Sequence, residues 1–317
     1  MARQKIKVRL QGVVLGTGSN TSLLLKLAIW FTISLALSCI FFREFWANLG
    51  TMLSPDWIFG QHHAAPWGVL GLCCLGLWLK RESVWQEMKI RQNSAFIPLG
   101  LALIAGAVFI PSSQDFLVLQ VLLASLGVFV TIFGKAAKIP AILISIYSFA
   151  ISFPLLIERF AGLPYSMSAI KPLTWIFSGL GYQFENQGQW MHFTSYSGEP
   201  ISVAITAACA GPVTMGVFLT IFTLMMLDLP VPPKKATWLF LFGAVGTWLQ
   251  SVIRLVILMF IGYHWGREAM LTAHFWTIYI LFPLWYLLFA YIYFRQVERP
   301  PQLKNESGAD FIQVTEN

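Results

Sequence analysis

The segment TWLFLFGAVGTWLQS (237–251) runs without a break into VIRLVILMFIGY (252–263), and Arg254 is the one charged residue in it. Such a run is apolar all round, with no polar face for water, which marks a buried or membrane helix. At about 1.5 Å of rise per residue, about 20 residues cross a hydrocarbon core about 30 Å thick, and this run exceeds that length. Arg254 lies 17 residues after Thr237, roughly 26 Å up the helix and close to the far edge of such a core. An ionisable side chain within a span is costly and points to function.

The rest of the chain agrees with this reading. Of 317 residues, 57% are hydrophobic and 11% charged, where a soluble domain carries roughly a quarter charged residues. The net charge of +7 is spread over short connectors between apolar runs, where Lys and Arg set topology. No basic stripe interleaved with aromatics is present, so nucleic acid is not an expected partner. Eight segments read as spans: 22–42, 64–79, 95–111, 116–133, 139–158, 209–229, 237–262 and 273–294. The first is too long for a signal-peptide core and lacks a small-x-small cleavage site, so it is expected to be a retained helix. With the basic residues Arg3, Lys5, Lys7 and Arg9 in the cytoplasm, the connectors holding Lys80/Arg81/Lys89/Arg91, Lys135/Lys138, Lys234/Lys235 and Arg295/Arg299 all fall on the same side. Both termini are then cytoplasmic.

The fold class expected is all-α: a polytopic membrane helix bundle of about eight transmembrane helices, with a small extracytoplasmic β-hairpin before the catalytic helix. Residues 166–182 are short and mixed, and read as a helix lying at the membrane interface with Trp175 and Tyr182 at headgroup level. Alternation over 189–194, with turns at Asn186-Gln187-Gly188 and Ser197-Gly198-Glu199-Pro200, reads as a hairpin or meander leading to Cys209. The organisation is a cytoplasmic basic N-terminus (1–21), an N-terminal transmembrane bundle (22–158), an extracytoplasmic interfacial helix and hairpin (159–208), catalytic transmembrane helices (209–294) and a disordered cytoplasmic tail (295–317).

The four cysteines, Cys39, Cys73, Cys74 and Cys209, form no convincing disulfide set, and the first three lie in apolar runs where cysteine acts as a small hydrophobe. Cys209 differs. It opens one span, Arg254 lies near the outer end of the next, and His274 opens the one after, so three consecutive helices bring a thiol, a guanidinium and an imidazole to one depth. A cation and a helix N-terminus favour a reactive thiolate. An imidazole can act as base to the thiol and acid to a leaving amine, and a guanidinium can hold an oxyanion. Gly211-Pro212 suits a sharp start to the helix. His264, in what reads as an exposed 262–266 loop, competes with His274 for the acid/base role. His62, His63 and His192 lack helical ligand spacing such as His-x-x-x-His. No metal or organic cofactor is implied.

The run Ile201-Ser202-Val203-Ala204-Ile205-Thr206-Ala207-Ala208-Cys209-Ala210-Gly211, then Ser251-Val252-Ile253-Arg254, then Tyr263–Ala269 and Ala273-His274, resembles the exosortase/archaeosortase family, in an archaeosortase-like variant with Cys209-Ala210-Gly211-Pro212. The resemblance covers about residues 165–294. It implies a membrane-embedded cysteine transpeptidase with Cys209 as nucleophile, Arg254 as the active-site arginine and His274 as acid/base. It also implies secreted substrates bearing a C-terminal sorting signal with a transmembrane helix, and a lipid or glycan acceptor. A transporter using Arg254 to bind an anion predicts broken helices and inverted repeats, which the sequence does not display. A noncatalytic scaffold of an envelope polysaccharide-export system is the other alternative.

Overall fold

The computed structural model describes residues 20–55, 64–89, 94–111, 113 and 116–297. The basic N-terminal residues, His62, His63 and the polar tail lie outside them. Within the described residues the chain is mostly helical and divides into two compact units, Met1–Ser148 and Phe149–Asn317.

In the first unit α1 (Asn20–Phe41), α2 (Arg43–Met52), α3 (Ala64–Leu79), α4 (Arg81–Met88), α5 (Ile97–Phe109) and α6 (Leu117–Phe133) follow one another. A 3₁₀ turn at Gly134–Ala137 then leads into α7 (Lys138–Gly179), within which the boundary between the units falls. Helix α6 is central: Leu126, Phe129, Val130 and Phe133 pack with Leu23 of α1 and with Val84 and Met88 of α4. Trp30 of α1 donates Nε1–H to the Ser125 carbonyl at 3.1 Å and meets Phe129 edge-on. Helices α5 and α6 touch backbone to backbone. A Cβ on Gly100 would lie 2.6 Å from the Gly127 carbonyl oxygen, and one on Gly127 the same distance from that of Gly100. Membrane helices associate through such small-residue contacts because lipid is as apolar as leucine and gives burial no advantage. Consistently, α1 leaves Leu24, Leu25, Phe31 and Ile40 exposed.

The second unit holds the rest of α7, which breaks at Ala161 (φ −138°, ψ 20°). The three-stranded antiparallel meander β1 (Glu185–Gln187), β2 (Trp190–Thr194) and β3 (Pro200–Ala204) comes next, then a 3₁₀ turn at Ala207–Ala210, α8 (Pro212–Asp228) and α9 (Pro233–Val297). In register, Met191 faces Val203 and Phe193 faces Ile201. Met191, Phe193 and Ile201 are buried while Trp190 and Thr194 are exposed, the period-two alternation of a sheet with one covered face.

Residues 166–179 are helical as expected, and one face of this helix is covered by the rest of the unit. Ala169, Ile170, Leu173 and Phe177 are fully buried and build the unit's main core with Met191, Phe193, Ile201, Val252, Leu255 and Met259. Their i, i+3/i+4 spacing makes a stripe on one face only. Trp175, on the other face, stays 80% exposed, whereas Tyr182 is packed edge-on against Phe177 and Tyr263.

Helix α9 is a hairpin. It breaks at Gly266 (φ 82°, ψ −178°), a conformation that only glycine adopts without strain. Contacts between its arms join positions nearly equidistant from that glycine. A Cβ on Gly243 would meet Phe289, Trp285 Nε1 donates to Thr247 Oγ1 at 3.0 Å, and Gln250 Nε2 donates to the Leu281 carbonyl at 3.2 Å. Tyr286 and Tyr293 donate their hydroxyls to the carbonyls of Thr214 and Leu229 at 2.8 and 2.7 Å, fastening the second arm to α8. Among the described residues, three helical stretches are long and apolar enough to cross a membrane: Thr21–Phe41, Leu117–Gly179 and Pro233–Val297. Helices overlap each of the eight segments read as spans, the last two on the arms of α9, although residues 209–211 precede α8 and 110–111 follow α5.

Candidate active site

Cys209 stands on the connection between the sheet and α8. The end of β3 is tied down where Ile205, fully buried, donates its N–H to the Gln189 carbonyl at 2.7 Å. The chain then turns tightly, with Cys209 N–H bonded to the Thr206 carbonyl at 3.0 Å and the Sγ atom 3.7 Å from Thr206 Oγ1. Gly211 (φ 99°) and Pro212 start α8 directly afterwards, so the helix begins at Pro212 and the half-buried cysteine precedes it by one turn.

Gly211 also sets the distance to α9. A Cβ there would strike the side chain of Ser251, which is 1% exposed and donates Oγ–H to the Thr247 carbonyl at 3.2 Å. Arg254 lies three residues beyond Ser251, on the same helical face. It is 4% exposed, and the Cys209 sulfur is near enough to interact with its charge. Its Nη2 lies 3.2 and 3.1 Å from Nδ1 and Nε2 of His274. An in-plane approach equidistant from both ring nitrogens would run into the ring itself, so the guanidinium lies over the imidazole. The in-plane directions, along which ring nitrogens donate and accept, are not used by Arg254. Arg254 Nε is buried with no hydrogen-bond partner among the described residues. A buried orphan donor carries a desolvation cost of about 1–3 kcal/mol.

The hairpin explains the meeting of Arg254 and His274. Arg254 is 12 residues before Gly266 and His274 is 8 after it, about 18 and 12 Å of helix at the standard rise. His264 does not occupy an exposed loop: it lies in the helix just before the break, with its Nε2 3.4 Å from Tyr182 Oη and its ring against Phe260. His192 pairs with Ser202 Oγ at 2.8 Å through Nδ1. Among the described residues no group of three His, Cys, Asp or Glu side chains could hold a metal. Thr206 and Ser251 fall within the runs Ile201–Gly211 and Ser251–Arg254, but the sequence assigns neither a role of its own. The only sequence signal for either is a hydroxyl three positions from Cys209 or from Arg254.

The transmembrane exosortase (Exosortase_EpsH) family model matches residues 57–291, more than two thirds of the chain. This chain belongs to the transmembrane exosortase family. The match takes in Cys209, Arg254 and His274. No curated protein and no solved structure matches the chain. An exosortase is a membrane protein, in keeping with the long apolar helices described above.

Proposed function

We propose that this exosortase is a cysteine peptidase and transpeptidase with Cys209 as nucleophile, Arg254 as oxyanion donor and His274 as acid/base. The observation that carries the reading is the buried Arg254, whose Nε has no partner among the described residues, in reach of both a thiol and an imidazole. His274 takes the Cys209 proton, and the thiolate attacks the scissile carbonyl of a secreted protein. The carbonyl electrons move onto oxygen, which accepts a hydrogen bond from Arg254 Nε–H. The tetrahedral intermediate collapses to a thioester as the C–N bond breaks, and His274 gives its proton to the leaving amine. An amine or hydroxyl of a lipid or glycan acceptor then attacks the thioester and releases the thiol.

The substrate's sorting signal carries a transmembrane helix that docks laterally from lipid. An apolar groove of about 530 Å³ on α9, lined by Trp238, Leu241, Val245, Leu249, Ile253 and Trp285, offers such a helix an apolar face and ends at Ile253, the residue before Arg254. In this reading the chain crosses the membrane eight times with both termini in the cytoplasm. The sheet and the three site residues then lie at the extracytoplasmic face.

The test is Cys209→Ala, followed by gel analysis of a sorting-signal substrate in membranes containing the variant at normal abundance. Full-length substrate is expected to accumulate. Continued processing at the parental rate would rule the enzyme out and leave the transporter or scaffold reading.

A further inference from the structure

We infer that Thr206 is a positioning residue that holds the Cys209 sulfur and stabilises its thiolate, an assignment that rests on the cysteine-nucleophile reading above. The Thr206–Cys209 turn is closed twice, by the 3.0 Å bond from Cys209 N–H to the Thr206 carbonyl and by the 3.7 Å approach of Thr206 Oγ1 to Sγ. The larger radius of sulfur makes 3.7 Å a contact distance for a hydroxyl, where it would be too long between oxygens. Thr206 is fixed from both sides. Ile205 before it is anchored to Gln189 by a 2.7 Å bond, and Ala207 and Ala210 after it are buried. The hydroxyl is therefore presented by rigid backbone, as a group that orients another must be. Thr206 itself is exposed, so it is not a core-packing residue.

When the thiol ionises, its proton passes to His274 and Thr206 keeps its own. Its O–H turns from a partner of S–H into a donor to S⁻, and hydrogen bonds to charged groups are the stronger kind. Of the groups on neighbouring elements, the Arg254 charge interacts with the sulfur, and His274 lies beneath the Arg254 guanidinium. Both are present in every variant below, so a change in reactivity reports on the hydroxyl.

The experiment uses the full chain in detergent with Cys39→Ser, Cys73→Ala and Cys74→Ala, which leaves Cys209 as the one thiol. Iodoacetamide alkylation is followed by mass spectrometry from pH 5.5 to 9.5. Thr206→Val removes the hydroxyl at constant shape, Thr206→Ala is a second hydroxyl-free form, and Thr206→Ser retains it. Both hydroxyl-free variants are expected to alkylate about fivefold more slowly at pH 7, with the profile displaced to higher pH, since the thiolate is the reactive form. Thr206→Ser is expected to stay within about twofold of the parent. A Thr206→Val profile that superposes on the parent's overturns the assignment, as does a Thr206→Ser variant as slow as Thr206→Val. Loss of processing in Cys209→Ala alongside an unchanged Thr206→Val profile sinks this inference alone. Undiminished processing in Cys209→Ala sinks both.

Discussion

Gly211 and Ser251 are in van der Waals contact at the point where α8 leaves the Cys209 turn, and no methyl group fits between them. Gly211 is also left-handed, at φ 99°. Gly211→Ala therefore combines a backbone penalty of about 1–2 kcal/mol with an overpacking penalty of about 1–3 kcal/mol. The variant is expected to melt several degrees lower in detergent and to process substrate poorly, because the strain is relieved by moving Cys209 away from Arg254. Thermal unfolding and a processing gel on the same sample check both.

Arg254→Lys keeps the charge and loses the planar donor fork. Lysine has no counterpart to the Nε–H that is left orphaned and buried. Processing is expected to fall about 100-fold or more, the usual consequence of losing one oxyanion donor. Activity within a few fold of the parent would show that a point charge suffices.

The two histidines of α9 should separate cleanly. His274, beneath the guanidinium, is expected to cost about 10²–10⁴-fold in processing when changed to Ala, the range for a lost general acid/base. His264 is exposed among Tyr182, Phe260 and Trp265. His264→Ala is expected to shift stability by no more than about 0.5 kcal/mol, as surface substitutions usually do. Initial rates of substrate cleavage for the two variants decide between them.

Gly266 is the turn of the α9 hairpin, at φ 82° and ψ −178°. Gly266→Val asks a β-branched residue to adopt a glycine-only conformation, at a cost of about 1–3 kcal/mol. The arms are expected to lose register near the turn first, where Arg254 and His274 meet, so activity falls before the fold is lost. Cysteines introduced at Gln250 and Leu281, farther from the turn, should cross-link in both parent and variant.

Gly127→Leu tests the first unit by itself. Its side chain would enter the backbone of α5 at Gly100, and overpacking of this kind costs about 1–3 kcal/mol or more. The melting temperature in detergent is expected to drop, whereas Gly106→Leu, with open space around its Cβ, should leave it unchanged.

The amino-acid order alone determined that this chain lives in a membrane. Runs such as 237–263 are apolar on every side, and solvent preference is a property of composition that needs no partner. It also determined the helical class, the strands before Cys209 and the hairpin turns, because these depend on local spacing and on glycines with few alternatives. The structure alone decided which face of residues 166–179 is buried, since a mixed-composition helix reveals its stripe only once Met191, Phe193 and Leu255 are packed against it. It likewise turned the stretch around His264 from a loop into helix. The approach of Arg254 to His274 depends on the break at Gly266, and the seating of Cys209 near Arg254 depends on the Gly211–Ser251 contact. Depth can be counted along one helix, but the direction in which a side chain points is set by the neighbours that close around it.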